Sequence, residues 1–148
     1  MRALIDYRPA LRERTGIGEY THELVRALLR QPAHAATRVE LSLFSSSWKD
    51  RLAIGEPGFE RARIIDRRWP GRLLNLAWHR VGWPDVETIT GESADLVHSM
   101  TPLLLPSSRA ARVITIADLS FFRNRDWTAG EVRRDYPDLV QAHAARAD

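Results

Sequence analysis

Apolar and polar positions change period several times along this chain, and each change marks an element. Ala3-Leu4-Ile5 is a short continuous apolar block, ended by Asp6-Tyr7-Arg8-Pro9, and predicts a buried strand. From Ile17 to about Gln31-Pro32 the period becomes helical. Ile17, Tyr20, Leu24, Ala27 and Leu28 fall on one face at spacings of three and four, while Glu19, His22, Glu23, Arg26 and Arg30 lie mostly elsewhere. Val39, Leu41 and Leu43 then alternate with Glu40 and Ser42, the pattern of a second strand, which Ser45-Ser46-Ser47 closes. Residues 50–59, with Gly55, Pro57 and Gly58, read as loop, and residues 62–65 as a third short strand.

The next segment mixes its residue types. Arg67, Arg68, Trp69 and Arg72 precede Leu73, Leu74, Leu76, Ala77, Trp78 and Val81, with His79, Arg80 and Trp83 interspersed. It predicts a helix that holds three of the chain's five tryptophans and has arginines at its ends. Such a helix suits a lipid interface or stacking on a sugar, and a buried helix with solvated ends has the same pattern. Pro84-Asp85 starts a further short helix that Gly91 can cap. Residues 95–99 and 112–117 read as strands, the second β-branched from Val113 to Ile116, as a strand buried on both faces would be. Thr128 and Glu131 have capping-box spacing for a last helix, which Pro137 should break or kink. Strands alternating with helices imply an α/β domain with a mostly parallel sheet.

Gly16 and Gly18 sit between the first strand and the first helix. They allow a sharp turn and close approach of a ligand to N–H groups at a helix start, a place suited to an anion or a sugar diphosphate. A dinucleotide fingerprint needs a third glycine where Thr21 stands, so a nicotinamide cofactor is disfavoured and a purely structural turn remains open.

Composition narrows the classes. A chain of 148 residues, 44% hydrophobic and 28% charged, is long enough for one globular domain. With no cysteine, disulfides and cysteine-held clusters are excluded. The acid at Asp6 comes too early for a secretory apolar region, and no apolar run reaches the roughly 18 residues of a membrane span, so a cytoplasmic protein is expected. The net charge of +3 rests on arginine, Lys49 being the one lysine, which the codon usage of a GC-rich genome explains as readily as a phosphate or membrane partner does.

Ligands of open parallel sheets gather beyond the carboxyl ends of the strands. Three segments should meet there: Gly16 to Gly18, His98 to Thr101 and Ala117 to Ser120. His98 suits hydrogen bonding to a hydroxyl or the role of base, or else a structural one. Asp118, a carboxylate directly after an apolar strand, suits either a ligand contact or a loop cap. The histidines at 22, 34, 79, 98 and 143 lack ligand spacing, so no metal is expected. Neither a nucleophile elbow nor a P-loop pattern occurs, and no basic stripe carries a nucleic-acid motif.

Three stretches, in this order, resemble the N-terminal domain of family 4 glycosyltransferases, also called glycosyl transferases group 1. They are Arg14-Thr-Gly-Ile-Gly-Glu-Tyr-Thr-His-Glu-Leu, Ala94-Asp-Leu-Val-His-Ser, and Val113-Ile-Thr-Ile-Ala-Asp-Leu-Ser-Phe-Phe followed by Asp126-Trp127. The resemblance implies half of a GT-B fold, a Rossmann-like three-layer domain on the acceptor side of a cleft. It implies metal-independent, retaining transfer of a hexose from a nucleotide diphosphate sugar to a hydroxyl of a glycan or lipid-linked acceptor. No cofactor is implied.

By position, Gly16, Ile17 and Gly18 would border donor diphosphate and acceptor. His98, Ser99 and Thr101 would line the acceptor side, and Asp118 would be catalytic. Arg68, Trp69, Arg72 and Trp78 form a candidate membrane or acceptor surface. Where many relatives have His-Asp this chain has Ala117-Asp118, and Ala117 has no side-chain hydrogen bond to offer. A non-catalytic Rossmann-like binding module is therefore the second expectation. The family's donor half and the last strands of the sheet are expected beyond Asp148. The fragment would be inactive alone, with an open sheet edge prone to dimerise.

Overall fold

The computed structural model describes residues 1–11, 14, 16–31, 39–52, 57–119, 122 and 130–148. Five strands form one all-parallel open sheet: β1 (Arg2–Asp6), β2 (Glu40–Ser45), β3 (Arg63–Asp66), β4 (Leu96–Ser99) and β5 (Ala111–Ile114), in the spatial order β3-β2-β1-β4-β5. The chain builds outward from β1 to β3, then returns to the far side of β1 for β4. The order therefore reverses between β1 and β4, the crevice where doubly wound domains of this kind take their ligands.

Alternation along the strands assigns the two faces. Ala3 and Ile5 of β1 with Leu41 and Leu43 of β2 pack under helix α1 (Ile17–Arg30) through its Val25 and Leu29. Leu4, Phe44, Ile65 and Val97 face the other way. They meet Leu74 and Trp78 of α2 (Gly71–Arg80) and Val86 and Ile89 of α3 (Val86–Thr90), together with Leu103 and Leu105. Two apolar layers thus enclose the sheet, the three-layer arrangement that the alternating pattern implies.

Helix ends follow the sequence signals. The C-cap of α1, Gln31, is extended at φ −60° and ψ 137°, as the residue before a proline tends to be; Pro32 itself lies outside the described residues. The side chain of Asp85 accepts from the Thr88 N–H to open α3, and Gly91 closes it at φ 74°, a left-handed position that costs glycine nothing.

Three expectations are corrected. The buried stripe of α1 is Gly18, Thr21, His22, Val25 and Leu29, so Tyr20 and Ala27 face outward. The helix is rotated because its polar members are satisfied: the Thr21 hydroxyl donates to the Ile17 carbonyl and the Tyr7 hydroxyl pairs with Nδ1 of His22 at 2.8 Å. β5 is no doubly buried strand. Among the described residues it has one neighbour in the sheet, and its Val113 and Ile114 are only half-buried. Pro137 does not interrupt α4 (Gly130–Ala144). The proline removes one ladder hydrogen bond, but its ring is buried and the helix continues through it. The proposed cap at Thr128, the loop residues Arg12 and Glu13, and Ser120, Phe121, Asp126 and Trp127 lie outside the described residues.

Candidate functional site: the carboxyl end of the sheet

β1 delivers Asp6 to the reversal point with its side chain almost wholly buried. A buried carboxylate needs a partner, and Arg8, two residues on, closes over it. Its Nε and Nη2 donate to Oδ1 and Oδ2, each at 2.7 Å. Nη1 of Arg8 donates to Oδ1 of Asn75 on α2 at 2.8 Å, and the guanidinium lies 4.8 Å from the centre of the Trp78 ring. One arginine therefore ties the end of β1 to α2 through two hydrogen-bonding partners and a cation–π contact.

Beside this pair opens a hollow of about 610 Å³, bounded by the segment after β2 (Ser46 to Asp50), the start of α2 (Gly71, Arg72, Asn75) and the segment after β4 (Thr101, Leu103). Asp6 and Arg8 form part of its wall. A second hollow, about 520 Å³, lies at the opposite end of the sheet among Arg2, Glu40, Arg61 and Arg63, where the strands begin. The first has the place expected of a ligand site in this architecture, and the second does not.

The glycine turn begins α1 at that same end of the sheet. Gly16 is the N-cap, with φ 53°, and a side chain there would meet nothing within 4 Å. Tyr20 donates back to the Gly16 carbonyl at 3.0 Å, whereas the N–H groups of Ile17 and Gly18 find no acceptor among the described residues. Arg14, just before the turn, is held by the buried His22 ring, with Nη1 at 2.9 Å from Nε2, and His22 stacks on Phe59.

The middle motif divides. Thr101 reaches the wall of the hollow, and its hydroxyl lies 3.2 Å from that of the buried Ser99. His98 points instead to β5, pairing its Nε2 with the Thr115 hydroxyl at 2.9 Å. Burial holds its imidazole below the usual histidine range, so it is neutral at pH 7. Ala117 and Asp118 lie in the exposed segment after β5.

The candidate surface on α2 is also rearranged. Arg68, Trp69 and Arg72 are exposed, but Trp78 is not: it is 1% exposed, packed against Phe44, with its indole N–H donating to the Pro84 carbonyl at 2.7 Å. A tryptophan four residues after Leu74 falls on the stripe facing the sheet, which removes it from any membrane or acceptor surface. Its place outside is taken by Leu73, 65% exposed, with Leu76, Val81 and Trp83. Among the described residues no cluster of three or more His, Asp or Glu side chains could hold a metal ion, and no helix is long and apolar enough to cross a membrane.

Sequence reasoning passed over the two features that shape the hollow. Asp6-Tyr7-Arg8 looks like a strand end, and its signal was an acid at a buried strand terminus with an arginine in reach. Ser46 gave no signal, because serines after a strand are ordinary. No protein-family model matches the chain, and no curated protein or solved structure is significantly similar to it.

Proposed function

We propose that this chain is the acceptor-side domain of a GT-B glycosyltransferase similar to family 4, part of an enzyme that moves a hexose from a nucleotide diphosphate sugar to a hydroxyl with retention and without a metal. The observation that carries the reading is one of placement. The glycine motif follows β1, the second motif runs through β4 and the third begins in β5, so the carboxyl ends of all three lie at one end of an all-parallel sheet, on both sides of the point where strand order reverses. In this reading the Gly16–Gly18 turn offers N–H groups to phosphate oxygens, Thr101 meets the acceptor with the buried Ser99 behind it, and neutral His98 accepts or donates one hydrogen bond rather than supplying charge. Asp118 keeps the catalytic assignment, and the donor half would follow in the same polypeptide.

The complete gene product, mixed with a panel of nucleotide diphosphate sugars and cell-envelope extract, should release nucleoside diphosphate with one of them. Absence of both release and binding heat across the panel sinks the reading. That result would favour a non-catalytic binding module, which Ala117 motivates because it has no polar group to place at the transferred sugar.

The enzyme would work at the cytoplasmic face of the membrane. Residues 67–84 contain four arginines and no acid. Trp69, Leu73, Leu76, Val81 and Trp83 are large, apolar and exposed together on and around α2, with Arg68, Arg72 and Arg80 exposed among them. Co-sedimentation with vesicles should rise with anionic lipid content and fall for Leu73→Asp. Indifference to both sinks this placement.

A further inference from the structure

The geometry points to an oxyanion site in the hollow at the start of α2, taking a phosphoryl group carried by the molecule that receives the sugar. The first observation is Ser46. It lines the hollow and is 3% exposed, and its buried Oγ has no hydrogen-bond partner among the described residues. A hydroxyl shut away from water without a partner is rare in a settled fold and marks a place where a ligand completes the bonding.

The second observation is the helix start itself. The N-cap of α2 is Pro70, which provides no side-chain cap, and the first returning bond is from the Leu74 N–H to the Pro70 carbonyl. The N–H groups of Gly71, Arg72 and Leu73 therefore find no acceptor among the described residues, at the positive end of a ten-residue helix. Ser46 and Gly71 are neighbours: a β-carbon on Gly71 would lie 3.6 Å from the Ser46 carbonyl oxygen.

Charge agrees. Lys49 and Arg72 line the hollow, Asp6 is already neutralised by Arg8, and Asp50 is the remaining acid. At about 610 Å³ the hollow exceeds one phosphoryl group and leaves room for the body that carries it. Arg72 connects it to the exposed apolar face of α2, so the phosphate of a soluble molecule and that of a lipid headgroup have the same chemistry here.

The site depends on the transferase reading only for the word acceptor, and its test needs no turnover. Inorganic phosphate, titrated at constant ionic strength into the whole protein, should shift the amide resonances of Ser46, Gly71 and Arg72 saturably. Ser46→Ala should weaken binding about tenfold, the loss of one bond to a charged group, and Lys49→Gln should weaken it and flatten its salt dependence. Shifts of Ser46 and Gly71 with vesicles containing phosphatidate, absent with phosphatidylcholine alone, would assign the phosphate to a lipid headgroup. Shifts with free phosphate only would assign it to a soluble acceptor. No saturable shift from either source, or equal affinity in Ser46→Ala, overturns the site. Sugar transfer without phosphate binding would remove this inference and leave the transferase; phosphate binding without transfer would do the reverse.

Discussion

α1 and α2 start at the same end of the same sheet and cover its opposite faces, yet they present different surfaces to the outside. α1 turns Glu19, Glu23 and Arg30 outward around one large apolar side chain, Tyr20, with Arg26 paired to Glu23 at 2.6 Å. That is the polar back a helix needs when only its inner stripe is buried. α2 has its inner stripe too, Leu74 and Trp78, but its back holds Leu73 and Leu76 between Arg72 and Arg80. Packing on the sheet requires apolar residues on one side of a helix and says nothing of the other. Packing on the sheet therefore does not account for the second apolar side of α2, and the hollow lies at the start of the same helix.

The strongest way to break the comparison is through Arg8, whose side chain holds Asn75 and covers Trp78 on α2. Arg8→Ala strands the Asp6 carboxylate in the interior and should cost about 3–5 kcal/mol in chemical denaturation, with amide protection lost first across residues 71–80. Adjacent positions on α2 separate its two sides. Leu74→Ala should cost about 2–5 kcal/mol and Leu73→Ala less than about 0.5 kcal/mol, while only the second should weaken vesicle binding. Equal stability losses at the two positions would mean that the outer leucines are covered.

Ser46→Ala should leave the unliganded protein as stable or more stable, by about 1 kcal/mol, because it removes an unmet hydroxyl. A loss of stability would mean that Ser46 supports the fold and not a ligand. The gentlest effect is on pH. Burial holds His79 and His143, stacked between α2 and α4, below the ordinary 6.5, and His98 likewise. Nδ1 of His143 lies 2.7 Å from the Leu104 nitrogen and 3.0 Å from the Pro102 carbonyl oxygen; the carbonyl favours a proton there, but desolvation outweighs it, and Arg146 adds to the depression. The unfolded chain takes up protons before the native one does, so stability should be full above pH 6.5 and fall as the pH drops through the depressed native values. Thermal melts from pH 7.5 to 5 check it, and His143→Gln should flatten the slope.

Strand positions were legible because β-branched and alternating runs have few other solutions, and parallel pairing followed from the helices between them. What escaped depended on partners distant in sequence. His22 looks like a surface residue of α1 until Tyr7 and Phe59 arrive beside it. The β-branched run within residues 112–117 fits a strand buried on both faces, but burial depends on what surrounds a strand, and β5 is half-buried with one neighbour among the described residues. Trp78 and Trp69 belong to one arginine-tryptophan mixture in the sequence, but Trp78 falls on the inner stripe of α2 whereas Trp69 precedes the helix and is exposed. Of the site, the glycine turn was legible through backbone needs, whereas Ser46 and the Asp6–Arg8 pair required the fold.

The near absence of lysine now has a mechanical side. Arg67 uses Nε and Nη2 to hold the Ile89 and Thr90 carbonyls in the last turn of α3, and Arg61 spreads one nitrogen across the Leu29 and Gln31 carbonyls at the end of α1. Those grips, like the fork on Asp6, use the flat shape of the guanidinium as well as its charge. A chain recoded with lysine at positions 8, 61 and 67 would have the same formal charge and migrate alike in an electric field. It would nonetheless be a looser molecule, because an ammonium head is a point where these joints need a bracket.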